Sequence, residues 1–161
     1  MVPVKAQAGY LDNYSRQEFF KELPTCSLPN LEHRSLWLWE VEGNSMLTDT
    51  GGLHSGGWVC SERIFNGSEV RDGRVYVVVH KDGVLIKRVL NRADTDGKLI
   101  LKSDNLSGNY PPIVIEPTDI LELWYVVGYF SRQLPPPSNL YERINQMEGR
   151  LILLEKNQTT K

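Results

Sequence analysis

Between Leu36 and Phe130 the chain alternates short apolar runs with turn dipeptides and shows no long helical period. Seven runs stand out: LWLWEV, WVCSERI, RVYVVVH, VLIKRVL, KLILKS, PIVIE and LWYVVGYF. All are rich in β-branched or aromatic side chains, which fit a pleated surface better than a helix. Turn signals separate them, at Asn66-Gly67, Asp72-Gly73, Asp82-Gly83, Asp96-Gly97 and the SGN segment from Ser107. Asn and Asp followed by Gly reach the positive φ angles of tight hairpin turns at little cost. VYVVVHKDGVLIKRV, two apolar runs about Asp82-Gly83, is the strongest hairpin signal. Closely spaced strands without helices between them predict a mainly-β, partly closed antiparallel structure.

The two ends read differently. Residues 1–35 carry no clean period and are punctuated by Pro3, Pro24 and Pro29, so they read as an arm laid over the domain. Within the arm, SRQEFFKEL is expected to form a short helix capped by Ser15, with Phe19, Phe20 and Leu23 inward. At the other end, QLPPPSN is a stiff extended spacer followed by a helix cap at Ser138. Leu140, Ile144, Met147, Leu151 and Leu154 then recur at intervals of four, three, four and three, an a/d heptad seam. So short a helix is marginal alone, and Gly149 weakens it. Its stripe must be buried, either back on the domain or in a self-associating coiled coil. The expected organisation is an arm over 1–35, a β domain over 36–134, and a spacer with a C-terminal amphipathic helix over 135–161.

At 161 residues the chain has room for one proper core. A formal charge of -2 gives no basic field to draw nucleic acid or anionic lipid, so any DNA reading belongs to a separate part. Cys26 and Cys60 lie far apart with no C-x-x-C spacing, which suits reduced thiols. His33, His54 and His80 form no metal-ligand spacing with them, and no metal or cofactor is expected. No apolar run approaches the roughly twenty residues of a membrane span. Lys5, Gln7 and Asp12 interrupt any signal-peptide pattern. The sequence reads as cytoplasmic and not membrane-bound.

The candidate chemistry starts at VEGNSM, where Ser45 follows a glycine as the chain leaves a strand. A serine hydroxyl is a weak nucleophile until a base takes its proton. No G-x-S-x-G elbow marks a Ser-His-Asp set, because EGNSM lacks the second glycine. The other base is lysine, which must be neutral, and burial disfavours its charged form. VLIKRVL offers one. In a strand, Leu85, Lys87 and Val89 share one face, and Val84, Ile86, Arg88 and Leu90 the other. Arg88 does not deprotonate, so Lys87 is the candidate base. The competing reading is a lysine that snorkels to water along an amphipathic strand.

VEGNSM, then GGWVCSE, VRDGRVYVVVHKDGVLIKRVL, LILKSDNLSGNYPPIVI and VVGYF, in that order, resembles the self-cleaving domain of LexA-type repressors. Phage repressors and UmuD-like polymerase accessory proteins share that domain, and signal peptidases its Ser-Lys chemistry. The resemblance runs from about Val2 to about Leu134. It implies that Ser45 is the nucleophile and Lys87, forty-two positions on, the general base. It further implies self-cleavage at an Ala-Gly bond upstream. Ala8-Gly9 lies thirty-six to thirty-seven positions before Ser45, and without the dyad it would read as a flexible linker. Two features depart from the family pattern. LTDTGGLHSGGW lacks the usual proline after S-M, and Gly57 stands where an aspartate is usual.

The resemblance implies the regulatory and dimerisation half of a transcriptional repressor. Such a protein forms a homodimer, touches DNA only through an N-terminal domain lacking here, and is cut under an activated RecA filament. Two alternatives keep the fold: a UmuD-like accessory protein with a self-processed arm, and a non-catalytic dimerisation module.

Overall fold

The computed structural model describes residues 2–5, 25–26, 35–48, 51–132 and 139–159. The strands are β1 (Val2–Lys5), β2 (Thr25–Cys26), β3 (Leu36–Glu40), β4 (Leu47–Thr48), β5 (Gly51–Gly52) and β6 (Trp58–Ile64). They continue with β7 (Arg74–His80), β8 (Gly83–Arg92), β9 (Lys98–Lys102), β10 (Ile113–Ile115) and β11 (Ile120–Phe130). A short helix α1 (Ala93–Asp96) joins β8 to β9, and α2 (Asn139–Thr159) closes the chain.

Among the described residues, nine strands form one sheet in the order β10-β9-β8-β7-β11-β6-β3-β1-β2. From β10 to β3 every neighbour is antiparallel, and β1 then joins β3 in parallel. The ladder does not close on itself. The mainly-β antiparallel architecture and the C-terminal helix therefore follow the sequence reading, in an open sheet. All seven expected runs become strands, with ends shifted by a few residues. β4 and β5 form a separate two-stranded ladder.

β7 explains why its sequence is apolar throughout instead of alternating. Tyr76, Val77, Val78 and Val79 are all 0% exposed. Val77 and Val79 enter a cluster with Trp39, Val41, Met46, Val59, Ile86 and Trp124. Tyr76 and Val78 enter another with Val70, Val89, Leu99, Leu101, Ile115 and Leu123. Successive residues on a strand point to opposite faces, so both faces of β7 are covered. Burying one such valine contributes about 1.5–3 kcal/mol. Trp39 Nε1 donates to Ser61 Oγ at 2.8 Å, which satisfies two polar groups that the core would otherwise strand.

The Asp96-Gly97 turn is larger than a two-residue hairpin. One helical turn, α1, ends at Gly97, whose φ of 69° is the left-handed cap and whose N–H bonds Ala93 O. The arm helix expected over 15–23 and the Pro135–Pro137 spacer lie outside the described residues. In α2, Ile144, Met147 and Leu151 are 45%, 63% and 57% exposed.

Candidate active site

β3 ends at Glu40, and two backbone bonds fix how the chain leaves it. Val41 N–H donates to Gly57 O at 2.8 Å, and Gly56 N–H donates to Val41 O at 2.9 Å. Gly43, at φ 70°, turns the chain where a side chain would be strained. Met46 is buried in the core and receives Leu53 N–H on its carbonyl at 2.9 Å. Between this turn and this anchor lies half-buried Ser45.

Lys87 lies mid-strand on β8, opposite Tyr76 of β7, and is 8% exposed. It does not snorkel to water. Ser45 and Lys87 line one cavity of about 70 Å³, walled by Val41, Met46, Val84 and Ile86. A space of that size takes a small side chain or a few waters. Larger depressions of about 320 and 560 Å³ gather around Arg63 and contain no lysine. The two residues singled out from sequence thus share a wall of the same small cleft.

Burial pushes the Lys87 ammonium below its ordinary range, because removing water penalises the charged form. The Asp104 carboxylate pulls the other way. That carboxylate is already engaged, since Arg88 Nε and Nη2 donate to its two oxygens at 2.7 and 2.6 Å. Arg88 Nη1 also donates to Gly73 O at 2.6 Å. Lys87 and Arg88 therefore lie on opposite faces of β8, as alternation requires. One is buried and poised towards neutrality, and the other is a fixed cation.

The sequence reading missed what Ser103, Asp104 and Asn105 do individually. Lys87 Nζ donates to Ser103 Oγ at 2.8 Å, and Ser103 is itself buried. Asp104 clamps Arg88. Asn105 fastens the Ser45 turn, through its N–H to Ser45 O at 3.0 Å and its Nδ2 to Asn44 O at 2.8 Å. Three consecutive residues hold Lys87, Arg88 and the Ser45 backbone. A signal for this was present. The β8–β9 pairing is symmetric about Thr95, with Arg92 opposite Lys98 and Arg88 opposite Lys102. Reflecting the sequence about that centre sets Ser103 beside Lys87.

The Gly57 departure has a local cause. A Cβ there would meet the Tyr129 ring at 2.6 Å, and Tyr129 Oη accepts His54 N–H at 2.8 Å. The space of an aspartate is filled by a tyrosine from β11. Ala8 and Gly9 lie outside the described residues. Among the described residues no cluster of three His, Cys, Asp or Glu could hold a metal ion, and no helix is long and apolar enough to cross a membrane.

No curated protein matches the chain. The family model for Peptidase S24-like proteins matches residues 3–127, which spans most of the sequence and every strand of the sheet except Val2 of β1 and the end of β11. The chain belongs to the Peptidase S24-like family, the serine peptidase family of the self-cleaving LexA-type, phage-repressor and UmuD-like domains.

Proposed function

We propose that Ser45 and Lys87 cut the chain's own Ala8–Gly9 bond. The reading rests on a buried lysine sharing a small cleft with a serine held by its backbone. Neutral Lys87 takes the Ser45 proton, and Oγ attacks the carbonyl carbon of Ala8. Backbone N–H groups around Ser45 stabilise the oxyanion. The C–N bond then breaks, and the Lys87 ammonium returns the proton to the departing Gly9 amine. Water hydrolyses the resulting ester, with Lys87 again as base. Small residues on both sides of the bond suit so narrow a cleft.

In this reading the domain is the regulatory half of a cytoplasmic repressor. It pairs as a homodimer, so that two DNA-binding heads reach two half-sites. Cleavage uncouples the heads, with an activated RecA filament as the trigger. A UmuD-like accessory role uses the same chemistry, and the upstream reading frame separates the two.

The test is the mass of the pure protein after incubation at alkaline pH. Loss of Met1 to Ala8 is expected, absent in Ser45→Ala and in Lys87→Ala. An unchanged wild-type mass would establish an inert module instead. Because the base must be deprotonated, the rate should climb with pH until Lys87 has titrated.

A further inference from the structure

We propose that α2 pairs with α2 of a second copy of this chain as a parallel, in-register, two-stranded coiled coil. The proposal is independent of the peptidase reading. α2 has 21 residues, about 31 Å at 1.5 Å per residue. Its a positions are Ile144 and Leu151, and its d positions are Leu140, Met147 and Leu154. Ile144, Met147 and Leu151 are exposed, so the β domain leaves the middle of the seam uncovered. A helix of this length with a bare apolar stripe is marginal in water and gains by pairing.

Charge selects the occupant and its direction. The g positions are Arg143 and Arg150, and the e positions that follow on the partner are Glu148 and Glu155. In a parallel pair, each g residue faces the e residue five places on in the other helix. Arg143 then meets Glu148 of the partner subunit, and Arg150 meets Glu155 of the partner subunit, on both sides of the seam. An antiparallel pair sets g against g and e against e, arginine on arginine and glutamate on glutamate. That arrangement is disfavoured at every flank. The β-branched Ile144 at a, with Leu140 and Leu154 at d, favours two strands. Gly149 falls at f, on the outer surface, where it costs helix propensity but no packing. Ile152 and Leu153 fall at b and c, on the outer side away from the seam, and stay exposed in the pair.

Cysteine cross-linking of the full chain tests this even if the β domains associate by themselves. Met147→Cys places a thiol at d and Asn145→Cys places one at b. Under mild oxidation Met147→Cys should give at least tenfold more covalent dimer than Asn145→Cys or the wild-type chain, whose Cys26 and Cys60 set the background. Adding Arg143→Glu and Arg150→Glu to Met147→Cys should reduce the dimer at least tenfold. Mixing that chain with one carrying Met147→Cys, Glu148→Arg and Glu155→Arg should restore it as a heterodimer. Equal cross-linking at 145 and 147, or no loss on charge reversal, would overturn the pairing. Failure of the mixture to recover would overturn its parallel register. None of these readouts needs the arm to be cut.

Discussion

Replacing Lys87 by methionine should change how stability depends on pH in a way that only a buried, depressed lysine produces. The unfolded chain holds this proton up to about 10.5, the ordinary lysine value, whereas burial makes the folded chain release it earlier. Between those two points the unfolded state binds more protons, so wild-type stability rises with pH. Below the folded-state value the full penalty applies, and above 10.5 it is gone. For one proton the slope inside the window approaches about 1.4 kcal/mol per pH unit. Methionine carries no such proton. Its loss of the Ser103 bond costs about 1 kcal/mol and its change of shape less than about 1.5 kcal/mol. Both costs are independent of pH, so the slope carries the test. Urea unfolding of the two proteins is measured from neutral pH to 10.5, each in a Ser45→Ala background that prevents self-cleavage. Burial raises Tyr76 above its ordinary 10.0, so the comparison rests on the points below that pH. The wild type should gain on Lys87→Met as pH rises. Parallel curves, with a constant difference within extrapolation error, would refute a depressed Lys87.

Three further outcomes are expected. Ser103→Ala removes the acceptor of Lys87 and should slow self-cleavage about tenfold, equivalent to about 1.4 kcal/mol of barrier, while Ser103→Thr keeps most of the rate; single-turnover mass analysis reads both. Asp104→Asn removes the carboxylate that raises the Lys87 pKa, so the rise of the pH–rate profile should move to lower pH. The same change leaves Arg88 half-satisfied and should lower Tm by about 2–4 °C per kcal/mol lost. Gly57→Asp forces a side chain into the Tyr129 ring and should cost about 1–3 kcal/mol by thermal melting.

The strands were legible because each is a β-branched run bounded by a turn dipeptide, a signal that needs no knowledge of the tertiary neighbours. Lys87 was legible for the same reason: alternation on VLIKRVL puts it among aliphatics. Ser45 stood out by its place after Gly43 and at a strand exit. The SDN segment was visible as a pattern, yet its division of labour depends on register, which a single sequence states only through hairpin symmetry about Thr95. The parallel pairing of β1 with β3 had no local signal, because it joins segments more than thirty residues apart across chain of no regular period. The small β4–β5 ladder escaped notice since two residues per strand carry no alternation to read.

For the proposed cleavage, the position of β1 would add a second stage. β1 precedes the Ala8–Gly9 bond, yet its register partners are Leu38 and Trp39 of β3 and the two residues of β2. A severed N-terminal peptide would stay docked through a few main-chain bonds, so breaking the backbone and releasing whatever lies upstream become separate events with separate rates. Dissociation of that peptide would leave β3 as a raw border of unpaired amides and carbonyls. Another extended segment could then fill the vacancy, making the trimmed protein a receptor for strands that the intact one excludes.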